Sequence, residues 1–337
     1  MEKTFESVIQ EKKDLGQMNT LKVIFVIARF GWLTRYQISD LVWPNIENRY
    51  ENCRKILARL QADKLIRVSI LASSKKGVRA YSLTPKGMSK ISENHGASKG
   101  VLVKKTTRSI TDSRYQYHRF LSNQMIIDMF VGRFKSVFNF NECSFFSEHE
   151  INTKNTGVFS ALGCVPDGLF VGDETMYVIE VENSRRGMQR HGSQFGVGSV
   201  SNRLATNKLT SFLPVYIERV MRDGNYNLFI PDLINFDLSD CRQIFVCKSD
   251  VIFRSIWRII DTLLVAEFKK NHDHSSYERM LGRFHYVVVD EPRWVEPLAP
   301  DNVNIYEHYD PTIEIMLEEA DPHDRSWRSE RSKEYLV

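Results

Sequence analysis

The sequence predicts an α/β chain of the α+β kind in two parts: a small helical unit closed by a strand hairpin, then a larger unit around a mixed sheet. Three observations predict it. Apolar positions at helical spacing over 21–63 run into two short strand-like segments, whereas 114–300 alternates strand-like and helix-like runs. Charge is segregated: residues 1–110 carry 21 Lys and Arg against 9 Asp and Glu, the remainder 25 against 33. A length of 337 residues is too great for one small domain and comfortable for two.

In the first part, Leu21, Val23, Ile24, Val26, Ile27 and Phe30 follow a helical rhythm that Gly31 ends. Thr34 with Gln37 three residues on is the signature of a capping box, opening a short helix through Ile38, Leu41 and Val42. Trp43-Pro44 stops it, because the residue before proline is pushed out of the helical region. A third helix is expected over 47–63, burying Ile56, Leu57 and Leu60. Strands are expected over 65–70 and 79–83, joined by the polar turn Ser73-Ser74-Lys75-Lys76-Gly77, and Leu83-Thr84-Pro85-Lys86-Gly87 closes the hairpin.

Three helices followed by a hairpin is the order of a winged helix-turn-helix, here assigned to 15–95. Such a unit presents the first turns of its third helix to the major groove, which nominates Asn48, Arg49, Tyr50, Asn52, Arg54 and Lys55 for DNA contact. Arg and Asn suit guanine and adenine edges, and Lys75 and Lys76 at the hairpin tip suit phosphate. Use of the unit for protein contacts alone remains the alternative. A basic linker, 96–113, rich in Gly, Ser, Thr and Lys, follows.

The second part, 114–300, is expected to open with a helix over 118–134 and to hold strands over 144–151, 168–171, 176–181, 243–247 and 285–289. Helices are expected over 201–221 and 250–270, and 301–337 reads as a partly extended tail. Its informative stretch is Val165-Pro166-Asp167-Gly168, a turn at Gly172-Asp173-Glu174, then Met176 to Asn183. On a strand Glu180 and Glu182 share one face, while Tyr177, Ile179 and Val181 share the other and can pack on a helix. Asp167 enters the preceding strand, so the three carboxylates are expected to converge at one sheet edge. Carboxylates that close raise each other's pKa unless a hard divalent cation neutralises them, which makes Asp167, Glu180 and Glu182 candidate ligands for Mg²⁺ or Mn²⁺. A solvated polar strand edge is the other reading.

This spacing resembles the PD-(D/E)xK nuclease superfamily, with Pro166-Asp167 as first element and Glu180-Val181-Glu182 as second; the motif's lysine is replaced by Glu182. The order of parts, with His118-Arg119-Phe120-Leu121-Ser122-Asn123 ahead of Pro166-Asp167-Gly168, resembles the replication-relaxation family over roughly 18–290. That family includes the MOBC-class plasmid relaxases. The resemblance implies a restriction-endonuclease-like second domain in which Asp167, Glu180 and Glu182 bind metal and Lys208, on a following helix, assists at the scissile phosphate. It implies metal-dependent nicking of one strand of a transfer origin, with a relaxosome accessory protein and a coupling protein as partners. A DNA-binding accessory or regulator on a degenerate nuclease fold is the alternative. Arg185, Arg186 and Arg190, leaving the acidic strand, are candidates for the DNA backbone or for a solvated loop.

Other chemistries find less support. Gly196-Val197-Gly198 lacks the Gly-Lys-Ser/Thr of a phosphate-binding loop. His272-Asp273-His274 stands in a polar run without a third spaced histidine, which disfavours a tyrosine-linked mechanism through Tyr115 or Tyr117. His118 reads as a structural or substrate-side helix residue. The five cysteines show no CxxC pairing, no apolar run is long enough for a membrane span, and Met1 to Glu6 lacks the pattern of a signal peptide; a cytoplasmic protein is expected.

Overall fold

A computed structural model describes residues 5–71, 77–94, 113–135, 138, 140–154, 165–173, 175–182, 240–247, isolated positions between 252 and 265, 280–289 and 303–307. It is a mixed α/β structure with two sheets. The first part runs α1 (Phe5–Phe30), β1 (Leu33–Thr34), α2 (Arg35–Val42), α3 (Arg49–Ala62), β2 (Ile66–Ile70), β3 (Arg79–Leu83) and α4 (Pro85–Asn94). The capping box forms as the sequence predicts. The Gln37 amide N–H donates to Thr34 Oγ1 at 3.4 Å, and the Thr34 N–H donates to Gln37 Oε1 at 3.1 Å. The three strands form an antiparallel sheet in the order β1-β3-β2.

Helix α1 starts well ahead of Leu21, where the apolar rhythm begins, and α4 was not foreseen. Its start explains the run after β3: Thr84 Oγ1 accepts from the Gly87 N–H at 3.1 Å, and Pro85 occupies a first-turn position where its missing N–H costs nothing. Gly87 is required because an added Cβ would lie 2.1 Å from the Leu65 carbonyl oxygen.

The second part comprises α5 (Ser113–Phe130), β4 (Cys143–Ser147), α6 (Glu148–Lys154), β5 (Gly168–Gly172), β6 (Thr175–Glu182), β7 (Asp240–Cys247), β8 (Phe284–Val289) and β9 (Val303–Glu307). Its sheet has the order β4-β5-β6-β7-β8-β9; β4–β5, β5–β6 and β8–β9 pair antiparallel, β6–β7 and β7–β8 parallel. Two expectations are corrected. The strand predicted over 144–151 ends at Ser147, where the chain turns into α6 because Ser147 and Glu150 cap each other: the Glu150 N–H donates to Ser147 Oγ at 3.2 Å and the Ser147 N–H to Glu150 Oε2 at 3.0 Å. Within the partly extended tail of 301–337, Val303–Glu307 forms β9 at the end of the sheet. The carboxylates do not stand at a sheet edge, since β6 lies between β5 and β7. The described positions between 252 and 265 are helical, as predicted; 96–112, 201–221, Lys75, Lys76, Arg185, Arg186, Arg190 and Lys208 lie outside the described residues.

One apolar core runs through both parts. It joins Ile24, Ile27, Phe30, Trp32 and Ile38 of the first to Phe120, Leu121, Met125, Ile126, Tyr177, Ile179 and Val181 of the second. Polar pins cross the same boundary: Gln37 Nε2 donates to the Phe120 carbonyl at 3.1 Å and Asn123 Nδ2 to the Trp32 carbonyl at 3.2 Å. Among the described residues, no helix is long and apolar enough to cross a membrane.

Candidate metal centre

The β5–β6 hairpin turns at Asp173, which takes a left-handed φ of 50° and accepts from the Asn141 and Glu142 N–H groups at 3.0 and 3.1 Å. Its register pairs Gly168 with Ile179, so Asp167, one residue outside β5, stands opposite Glu180. Because β5 is antiparallel to both neighbours, β4 runs the same way as β6, β7 and β8, and all four end at one rim. Ligand sites of open α/β sheets favour such a rim. Asp167 enters β5 there and α6 leaves β4 there. Helix α5 packs against Tyr177, Ile179 and Val181, and Gly168 permits its close approach: a Cβ would come 2.6 Å from Ile126 Cδ1.

Asp167 is held from several sides. Its N–H donates to the Ile179 carbonyl at 3.0 Å, its carbonyl accepts from Ser122 Oγ at 2.7 Å, and its Oδ2 accepts from the Val181 N–H at 2.8 Å. Its Oδ1 lies 2.8 Å from His118 Nε2, on α5. Glu148, first in α6, completes a group: one donor atom from each of His118, Glu148 and Asp167 lies within 4.8 Å of the others. Donor atoms in adjacent positions around one small ion at about 2.1 Å stand roughly 3 Å apart, so the His118–Asp167 separation suits a shared cation. One imidazole with two carboxylates could hold a divalent ion, and an imidazole donor suits transition metals better than Mg²⁺. Glu148 also accepts from Arg119 Nη1 and, at 3.3 Å, from Asn152 Nδ2. In the next position, burial and then Arg119 push the His149 imidazole down to about 4.

Of the residues singled out from the sequence, Asp167 lies in this group and Glu180 and Glu182 do not. Strand alternation sends Glu180 and Glu182 to the face opposite Tyr177, Ile179 and Val181, whereas Asp167 sits at the strand end against α5. Glu180 is nonetheless only 4% exposed and Asp167 6%. Sequence reasoning missed Glu148, although Ser147-Glu148-His149-Glu150 carries the Ser-x-x-Glu signature of a helix start, and read His118 as a structural or substrate-side helix residue instead of a ligand.

The candidate DNA contacts on α3 divide. Asn48, Arg54 and Lys55 are exposed, with Arg54 paired to Glu51 at 2.7 Å and Lys55 3.9 Å from it. Asn52 is half-buried, and Tyr50 packs edge-on to Tyr36. Arg49 is engaged inside the protein: Nε lies 3.1 Å from Asp40 Oδ1, Nη2 donates to Tyr50 Oη at 3.2 Å, and the guanidinium sits over the Tyr50 ring. Buried Asp40 also faces Arg133 Nη2 at 2.8 Å, and Arg133 pairs with Asp128. The Asp40 contacts are charge pairs rather than aligned hydrogen bonds. Burial pushes the Asp128 carboxyl up to about 7 against the pull of Arg133. These charges tie the start of α3 to the turn after α5, a link no local pattern announces.

Comparison of the chain with protein-family models, with curated proteins and with solved structures finds no match.

Proposed function

We propose that the chain is a DNA-binding, metal-dependent phosphodiesterase that nicks one strand, with α1–α4 acting as a winged helix and the α5–β9 unit as a nuclease-like domain. The observation that carries this reading is the group His118, Glu148 and Asp167 at the strand-end rim, with Asp167 opposite buried Glu180 on a Pro-Asp…Glu-x-Glu hairpin. The order of α1 to β3, with β3 central in the small sheet, supports the winged-helix part. With the resemblance to MOBC-class relaxases, it favours a plasmid transfer origin as substrate.

His118, Glu148 and Asp167 would hold a divalent ion, which would supply Lewis acidity toward water and a phosphate oxygen. The chain's residues do the rest. The Val181 N–H and Ser122 hold Asp167 at one angle, so its Oδ1 faces His118. His118 offers an imidazole nitrogen, and Arg119 fixes Glu148. Asn48, Arg54 and Lys55 face solvent on α3, where they can meet the duplex, and Arg49 braces that helix from within. Water adds to phosphorus and the strand's P–O bond breaks, leaving a phosphate and a hydroxyl end.

The second reading, DNA binding without cutting, is favoured by Arg119 on Glu148, which already offsets one carboxylate at the rim. Supercoiled plasmid carrying the cognate origin, incubated with Mn²⁺ or Mg²⁺, separates the two. Asp167→Ala is expected to lower nicking at least about a hundredfold and leave the gel shift unchanged. A wild-type protein that shifts the origin but nicks it with neither ion defeats the enzymatic reading.

A further inference from the structure

We propose that Arg29, the penultimate residue of α1, is a positioning residue for the metal centre, so that the first part of the chain helps to build the site instead of merely delivering it. The proposal rests on the metal reading of His118, Glu148 and Asp167.

Three consecutive residues of the first turn of α6 carry the argument. Glu148 faces the centre and Arg119. His149 packs on the end of α1: at Gly31, with a left-handed φ of 76°, a Cβ would lie 2.8 Å from His149 Nδ1. Glu150 is bound by Arg29, whose Nε stands 2.7 Å from Oε1 and whose Nη2 donates to Oε2 at 3.3 Å. Arg29 does more than pair a charge. Its Nη2 also donates to the Phe145 carbonyl in β4, its guanidinium lies 4.0 Å from the Phe145 ring centre, and its own carbonyl accepts from Ser147 Oγ. Ser147 and Glu150 are the two halves of the box that starts α6. Arg29 therefore holds both the last turn of β4 and the cap that sets the direction of α6, and with them the place of Glu148.

The Glu150 side chain is 3% exposed and that of Arg29 20%, so this is not a surface pair of small consequence. Removing either partner strands a buried charge and frees the cap. A group that orients a ligand from outside the coordination shell typically carries about 10–100-fold in metal affinity. Helix α5, the source of His118, is pinned to the same part of the chain through Gln37 and Asn123. Two of the three ligand-bearing segments thus take their position from α1–α2.

The test uses the full chain and Mn²⁺, read by electron paramagnetic resonance of free and bound ion. Arg29→Gln and Glu150→Gln are each expected to weaken Mn²⁺ binding on the order of tenfold, and the double variant no further than either single one. The bound-Mn²⁺ spectrum of Arg29→Gln is expected to match that of Glu148→Gln, a signature that general destabilisation does not produce. Arg59→Gln, exposed on α3, is expected to leave affinity unchanged. Should Arg29→Gln fail to fold, Ser147→Ala makes the same comparison with a smaller change. Affinity within twofold of wild type in folded Arg29→Gln, or additive losses in the double variant, overturns the proposal alone. Wild-type protein that takes up no Mn²⁺, or takes it up equally after His118→Ala and Asp167→Ala, overturns the metal reading and the proposal with it.

Discussion

The two sheets treat charge in opposite ways. In the small sheet Arg67 and Arg79 stand exposed, as does Ile70 at the end of β2. In the large sheet β5 is buried along its length and β6 at every position but its ends, yet β6 carries Glu180 at 4% exposure. A solvated arginine on an open face costs little. A carboxylate inside a sheet covered on both faces loses its hydration and persists only against a compensating partner or for a purpose. The contrast teaches where to look for function: the large sheet pairs its charge at both strand ends, Asp240 with Arg242 and Arg283 at one and Asp167 with His118 at the other, and buries Glu180 near the second.

The sharpest way to break the contrast is Glu180→Met. If the buried carboxylate is kept for chemistry, the variant loses nicking while it still folds and still shifts DNA. A folded variant that stays active removes Glu180 from the site. Next come the glycines that let elements approach each sheet. Gly87→Ala meets a backbone carbonyl at 2.1 Å and is expected to cost about 3 kcal/mol. Gly168→Ala meets the end of the Ile126 side chain, which can move, and should cost about 1 kcal/mol in chemical denaturation.

His149 lies on the seam between the two parts. Its folded imidazole stays neutral down to about 4, whereas an unfolded chain takes up that proton near 6.5. Its contribution to stability is therefore complete above about 6.5 and is lost as pH falls through the window down to the folded value. An NMR titration of the ring checks this, and a midpoint at or above the ordinary value breaks it. The smallest effect belongs to the small sheet: Arg79→Ala is expected to shift stability by less than about 0.5 kcal/mol in urea unfolding.

Much of this architecture was legible because it is written locally. Thr34 and Gln37 announce α2 by side chains three residues apart, and the alternation in Met176 to Glu182 announces β6 and which residues share its faces. The same kind of signal was present at Ser147 and Glu150, but the apolar run of β4 ahead of it and Ile151 behind it read as one continuous strand, and α6 with its Glu148 was lost. What local pattern does not carry is partnership at a distance. Arg49 looks like a base-reading side chain until Asp40 and Arg133 are found around it. Arg29 looks like an ordinary helix-end cation, and His118 like a helix residue with no claim on an acid far along the chain. Those roles are set by which rim the strands share, and sheet order is decided by tertiary packing.

The parallel pairing of β6 with β7 also sets an order of events during synthesis. Strands β4, β5 and β6 are close neighbours in the chain and pair antiparallel, so they can associate early, whereas β7 arrives only after 183–239 has been made. At roughly 5–20 residues per second, that interval lasts several seconds. Throughout it the far edge of β6 is an unpaired strand of Met176, Val178, Ile179 and Val181, the kind of edge that recruits other chains. Glu180 and Glu182 interrupt that edge with negative charge, which discourages intermolecular pairing. Whatever their part in the folded protein, these two carboxylates serve as guards on the nascent chain, and their neutralisation should appear first as aggregation during expression.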